Sequence, residues 1–377
     1  MVFPQHICYH IAAMNDKSIL FSPINIGKLT IANRFVRSAT HAYMADKNGF
    51  VTDRQIGFLE EIARGEAGLI ISGHTYVNPS GIAGIFQTGI HTDEHIHGLS
   101  RLAEAIHKYS SRLFLQLSHA GRQTKTRFCG CIPLAPSAVY EPIFKITPRE
   151  MTGVEIEGVI DDFIQGARRA KEAGWDGVQL HAAHGYLLSS FISPYTNRRD
   201  DEWGGSVAKR AWIVVRILEG IKELLGTDYP VIVKLNSTDL LPKGLTIEES
   251  IEIAGLLERS GIDGIEVSGG MSEAGKASVW EGPFTEDEEG YFVDNAELIK
   301  AAVNVPVFGL GGLRTFTLME KAVNEGKVDL ISMSRPFIRE PHLVKKFRTG
   351  EIKRSKCISC NKCFNPRGIR CAVTKNE

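Results

Sequence analysis

Neither sign of charge dominates this 377-residue sequence: 44 Lys and Arg meet 44 Asp and Glu, for a formal net charge of zero. That balance gives no reason to expect nucleic acid or an anionic membrane as partner, and a small-molecule substrate is expected instead. No run approaches the eighteen or so consecutive apolar residues that a membrane span needs. Met1 to Asn15 hold no Lys or Arg, so the charged start of a secretory signal is missing, and residues 1–19 read as an N-terminal extension. Cysteine is sparse and odd in number, seven in all, which excludes a fully paired disulfide framework. Without a signal it favours a reducing compartment, hence the cytoplasm. What is present suits a soluble globular enzyme: 43% hydrophobic residues and 23% charged ones. A homo-oligomer is left open.

From Asn33 onward, short apolar and β-branched runs alternate with longer stretches of helical periodicity. Strands are expected at Phe35–Ser38, Leu69–Ser72, Leu113–Leu117, Gly177–Leu180, Val231–Leu235, Gly264–Val267, Val305–Phe308 and Asp329–Met333. Helices are expected at Asp53–Arg64, Asp93–Tyr109, Ile156–Glu172, Val207–Leu225, Ile247–Arg259, Asn295–Ala302, Phe316–Asn324 and Pro341–Arg348. Thr246 with Glu249 forms a capping box, and Gly65, Gly174, Gly226, Gly261 and Gly326 offer left-handed helix stops. Eight regular pairs without a linker favour closure over an open doubly wound sheet. The fold class is α/β, a single (β/α)8 TIM barrel over residues 20–350, followed by a short cysteine-rich tail over 351–377. Two inserts break the rhythm. His119–Gly153, with Pro133, Pro136, Pro142 and Pro148, reads as a loop over the barrel mouth, and Gly269–Asp294 as a mobile lid.

In such barrels chemistry sits at the carboxyl ends of the strands. Those ends hold Ser38, Thr40 and His41; Gly73 and His74; Gln116 and His119; His181, His184 and Tyr186; Lys234 and Asn236; Gly311 and Gly312; Ser334 and Arg335. Gly311 and Gly312 with Ser334 and Arg335 suit a phosphate held by backbone N–H groups; the alternative is a tight turn beside a surface charge. His181 and His184 can direct two N–H donors to one oxygen while Tyr186 supplies a proton; two packed or capping histidines are the plainer alternative. No role is assigned to His74.

Four ordered motifs resemble the old yellow enzyme family of flavin oxidoreductases, over Leu20 to Phe347. They are Ala32-Asn33-Arg34, the run Leu115-Gln116-Leu117-Ser118-His119-Ala120-Gly121-Arg122, His181-x-x-His184-Gly185-Tyr186-Leu187-Leu188, and Ser332-Met333-Ser334-Arg335-Pro336-Phe337. The resemblance implies an FMN-dependent enzyme that passes hydride from NADH or NADPH to an activated C=C bond of an enone or enoate. Gln116 would meet the flavin pyrimidine edge and Lys234, where the family more often has Arg, the N1 region. Ser38, Thr40, His41, Gly73, Gly311, Gly312, Ser334 and Arg335 would complete the FMN site. His181 and His184 would grip a carbonyl oxygen, with Tyr186 as proton donor. His41 matches the dienoyl-CoA reductase branch, which differs at the histidine pair.

Cys357-x-x-Cys360-x-x-Cys363, followed by Cys371, lies where trimethylamine dehydrogenase and dienoyl-CoA reductase bind a four-iron cluster. A 4Fe-4S cluster, a structural zinc and free thiols all stay open. Alternative functions are a flavin-dependent dehydrogenase or demethylase on the same scaffold, a flavin-free phosphate-ligand lyase with Lys234 forming a Schiff base, and a non-catalytic ligand-binding barrel.

Overall fold

Strands covered by helices on one side and by a filled barrel on the other are expected to be nearly continuous in apolar character, and the chain supplies eight of them. The computed structural model describes residues 15–374 except Pro283, so most of the 1–19 extension, residues 1–14, lies outside the described residues. The strands are β1 (Phe35–Arg37), β2 (Leu69–Ile71), β3 (Arg112–Ser118), β4 (Gly177–Ala182), β5 (Val231–Asn236), β6 (Gly264–Ser268), β7 (Val307–Gly309) and β8 (Leu330–Met333). Each pairs in parallel with the next, and β8 pairs with β1 to close the barrel. Outside lie α1 (Asp53–Arg64), α2 (His95–Ile106), α3 (Gly153–Glu172), α4 (Val207–Leu225), α5 (Ile247–Arg259), α6 (Val293–Lys300), α7 (Phe316–Asn324) and α8 (Leu343–Arg348).

Local signals explain most boundaries. The capping box Thr246–Glu249 starts α5, and a second one, Thr152–Glu155, starts α3 three residues before the apolar periodicity begins. Gly174, Gly226, Gly261 and Gly326 all take positive φ after their helices. Gly65 does not: its φ is −80°, and Glu66 takes the left-handed position at φ 70°. Gly65 serves close approach instead, since a Cβ there would lie 2.3 Å from the Pro341 carbonyl oxygen.

The barrel interior is layered by the two-residue period of its strands. Val36, Leu69, Ile71, Phe114, Ile232, Phe308 and Leu330 form an apolar floor. Ile26 and Ile31 seal it from below, contributed by an antiparallel hairpin of Ile24–Ile26 and Leu29–Ile31. This hairpin is tied to the bases of β3 and β5, where Arg112 Nε donates to the Thr30 carbonyl at 3.4 Å and Lys28 pairs with Asp228 at 2.7 Å. Burying each large apolar side chain of the floor, such as Phe114, Ile232 or Phe308, contributes about 1.5–3 kcal/mol. Two residues further along the same strands the interior turns polar, with Gln116 after Phe114, Lys234 after Ile232 and Ser332 after Leu330.

Both inserts fold onto the mouth. Arg122, fully buried, joins Glu273 at 2.5 Å and so ties the 119–153 insert to the 269–294 insert. The second insert, expected as a mobile lid, is also held by Arg335 Nη1, which donates to the Trp280 carbonyl at 2.8 Å. The cysteine-rich tail docks on the barrel as well. Ser355 N donates to the Arg314 carbonyl at 3.0 Å and Ile369 N to the Ala42 carbonyl at 2.8 Å, and Cys363 and Ile369 pack against Met44 and Ile338.

Candidate active site

A cavity of about 420 Å³ opens at the carboxyl ends of the strands. Of the expected site residues it is lined by Ser38, Thr40, His41, Gln116, His181, His184, Tyr186, Lys234, Gly311, Gly312, Ser334 and Arg335. Gly73 is the exception. It lies behind Thr40, whose carbonyl oxygen would be 2.6 Å from a Cβ at that position, so its role is to let two loops approach.

The lower part of the cavity is a charged and amide-bearing layer. Lys234, on β5, donates from Nζ to Ser38 Oγ at 2.8 Å and pairs with Glu266 Oε2 at 3.3 Å. Gln116 Nε2 donates to Gln179 Oε1 at 2.7 Å, and Gln179 Nε2 donates to Glu266 Oε2 at 2.8 Å. Ser332 donates to the other carboxylate oxygen. Burial pushes the Glu266 pKa up, but Lys234 and the hydrogen bonds from Ser332, Ser38 and Gln179 more than offset it, leaving the carboxyl below its ordinary value.

Above this layer stands a group of uncharged rings. His181 and His184 meet edge to face with centroids 5.3 Å apart, and Tyr186 lies 4.7 Å from His181. Left-handed backbone at His184 (φ 63°) turns the chain back after β4, and Asn236 Oδ1 accepts its N–H at 3.1 Å. His184 Nε2 is 2.7 Å from Ser268 Oγ, which fixes that ring. Burial pushes His184 down to about 3 and, with His184 and Lys234 nearby, pushes His181 well below the usual imidazole range. Burial and then Tyr43 raise Tyr186 to about 12. All three groups are neutral near pH 7.

His74, without a role in the sequence, belongs to this group. Its ring lies 5.2 Å from Tyr186 and 4.9 Å from His41, and Gln87 Nε2 sits 3.2 Å from its Nδ1. Burial lowers it to about 4. His41 stacks on Tyr43 at 3.8 Å. His119 turns away from the cavity; its Nδ1 accepts Gly121 N at 3.0 Å and its Nε2 meets Ser80 Oγ at 3.0 Å.

At the far end, Gly311 and Gly312 both have positive φ, 118° and 74°. Their N–H groups find no acceptor among the described residues, as befits a cradle for an anion. Arg335 Nη1 reaches Asn361 Oδ1 at 2.7 Å, so the tail approaches this end too, and Ser359 and Phe364 line the cavity.

An amide, a buried ammonium and open backbone N–H groups along one cavity match the imide edge, electron-rich centre and phosphate of FMN. Residues not expected from the sequence are Gln179, Glu266, Ser268, Tyr43, Ser359 and Phe364. A charged residue amid the apolar Gly264–Ser268 run was the available signal for Glu266.

The four tail cysteines line a second, much smaller pocket with Arg335 and Arg339, and Arg339 Nη1 is 3.6 Å from Cys371 Sγ. Among the described residues no group of three or more His, Cys, Asp or Glu is arranged to hold a single metal ion.

Residues 19–353 match the model of the NADH:flavin oxidoreductase / NADH oxidase family. The chain is 39% identical over 365 residues to an NADH oxidase of Thermoanaerobacter brockii, covering 94% of itself and 55% of that protein. Its structure resembles a 2-naphthoyl-CoA reductase at TM-score 0.86 and 35% identity, covering 92% of this chain and 54% of the other. It resembles an old yellow enzyme homologue from Zymomonas mobilis at TM-score 0.79 and 27% identity, covering 94% and 97%. The chain thus spans about half the length of two of these proteins and nearly all of the third. With a family match that takes in the barrel from before its hairpin plug to the start of its tail, the chain belongs to the NADH:flavin oxidoreductase / NADH oxidase family, of old yellow enzyme type.

Proposed function

We propose that this protein is an FMN-dependent oxidoreductase that takes hydride from NADH or NADPH and passes it to the activated C=C bond of an enone or enoate. The observation that carries this reading is the gathering of three neutral groups, His181, His184 and Tyr186, on the wall of a cavity that elsewhere offers Gln116, Lys234 and the Gly311–Gly312 cradle. Gln116 and Lys234 would hold the pyrimidine edge. Gly311, Gly312, Ser334 and Arg335 would hold the phosphate, and Ser38, Thr40 and His41 would close the wall between. When bound, FMN would supply the hydride chemistry that no side chain offers.

The chain's own residues do the rest. Neutral His181 and His184 donate N–H groups to the carbonyl oxygen of the substrate and draw electron density from the adjacent alkene. With Nε2 of His184 engaged by Ser268, its Nδ1 is the nitrogen left for the substrate. Tyr186, still protonated at neutral pH, delivers its phenolic proton to the alkene carbon that does not receive hydride. Lys234 is better suited to holding its place beside the cofactor than to forming a Schiff base, because its Nζ is already engaged by Glu266 Oε2 at 3.3 Å and by Ser38 Oγ at 2.8 Å.

The test is direct. Protein incubated with FMN and desalted should be yellow and should bleach anaerobically with NADH or NADPH; a colourless product would overturn the reading. A 4Fe-4S cluster in the tail is a second reading, carried by the four thiols of Cys357, Cys360, Cys363 and Cys371 that line one small pocket. Anaerobic purification followed by iron, sulfide and zinc analysis decides this, and absence of iron and sulfide would reject it.

A further inference from the structure

We propose that Glu266 is the positioning residue of the cofactor site, one carboxylate that orients both Gln116 and Lys234; the inference rests on the flavin reading above. Glu266 is fully buried on β6, below the cavity. An ionised carboxylate only accepts hydrogen bonds, so whatever reaches it must donate. Gln179 does so through Nε2 at 2.8 Å, which turns its Oε1 away, toward β3. There it accepts from Gln116 Nε2 at 2.7 Å. Gln116 and Gln179 are register partners on β3 and β4, so this contact is built into the sheet.

The polarity of two amides therefore follows from one charge. With its nitrogen engaged below, Gln116 presents Oε1 to the cavity as an acceptor, the match for an imide N–H. Were residue 266 neutral, nothing would distinguish this orientation from the flipped one, in which Gln116 would present its NH2 group. The second branch runs to Lys234, a register partner of Glu266 on β5, whose Nζ is held at 3.3 Å from Oε2 and 2.8 Å from Ser38 Oγ. The carboxylate thus fixes where the ammonium sits and offsets part of its charge. Ser332 on β8 donates to Oε1 and keeps the carboxylate itself from turning.

The experiment measures the FMN dissociation constant by fluorescence quenching and the midpoint potential of the bound cofactor, in wild type, Glu266→Gln, Glu266→Asp and Gln179→Met. Glu266→Gln is expected to weaken FMN about tenfold or more, the effect of mispairing a buried charge-assisted hydrogen bond. It should also move the potential upward, because Lys234 is no longer offset. Gln179→Met cuts the amide relay but keeps the charge, so it should weaken FMN with the potential unchanged. Glu266→Asp should hold the potential near wild type. Tight wild-type binding that neither Glu266→Gln nor Gln179→Met disturbs would overturn this inference alone. Wild-type protein that takes up no FMN would overturn the flavin reading and this inference with it. Should Glu266→Gln not fold, Gln179→Met decides, and an unchanged dissociation constant there rejects the relay.

Discussion

Replacing Tyr186 with Phe removes one hydroxyl and nothing else that the structure uses. The main-chain carbonyl of Tyr186 accepts Ser190 N at 2.7 Å in either variant, and the ring keeps its places 4.7 Å from His181 and 5.2 Å from His74. The magnitude follows from acidity. Burial raises the phenol to about 12, still roughly four units more acidic than the bulk water that would replace it. With the proton about half transferred at the barrier, that difference is worth ~10²-fold in rate, the lower end of what a positioned general acid contributes. Stopped-flow absorbance separates the two half-reactions. Bleaching by NAD(P)H should proceed at the wild-type rate, whereas reoxidation by an enone should slow about a hundredfold. Reoxidation in the wild type should also stay flat from pH 6 to 9, because the donor remains protonated throughout. Equal loss in both half-reactions, or none in reoxidation, would refute Tyr186 as the proton donor.

Acid should weaken the fold earlier than carboxylates alone would cause. Burial depresses His74 to about 4 and His119 and His184 to about 3, so the unfolded chain takes up these protons first. Their stabilisation is full above about pH 6.5 and is lost as pH falls toward those values, at about 1.4 kcal/mol per pH unit for each histidine. Between pH 6.5 and 5 each withdraws ~2 kcal/mol, which urea melts at pH 7 and 5 would register; equal midpoints would contradict it. Gly65→Ala should lower the melting temperature in calorimetry, since its Cβ would meet Pro341 and His342 backbone at 2.3 and 2.6 Å, a clash worth roughly 1–3 kcal/mol. Gly57→Ala on the same helix, with open space around the added methyl, should raise it by about 0.5–1 kcal/mol in stability.

Eight barrel strands were legible because burial on both faces leaves a nearly continuous apolar signature, and the polar residues at their ends could be grouped once the strands were counted. Glu266 and Gln179 stood in plain view within those strands, yet their pairing depends on register between β3, β4 and β6, which no single segment encodes. The hairpin of Ile24–Ile26 and Leu29–Ile31 escaped notice because three-residue strands show no period. The expected left-handed conformation of Gly65 failed for a related reason: the helix does end there, but the neighbour that excludes a side chain is the Pro341–His342 backbone just ahead of α8, far away in sequence. Docking of the tail through Ile369 on Ala42 and Asn361 on Arg335 is equally non-local, so a cysteine-rich stretch without periodicity gave no hint that it would help line the cavity.

The hairpin plug has a kinetic corollary. With Ile26 and Ile31 stopping the barrel at its base, the cavity lies at the carboxyl ends of the strands, and an electron donor and its recipient that both approach from that end would use the same route. Two guests that share a threshold and a single binding face have to take turns. Steady-state rates plotted in double-reciprocal form against either guest should then give parallel lines, with excess of each inhibiting entry of the other.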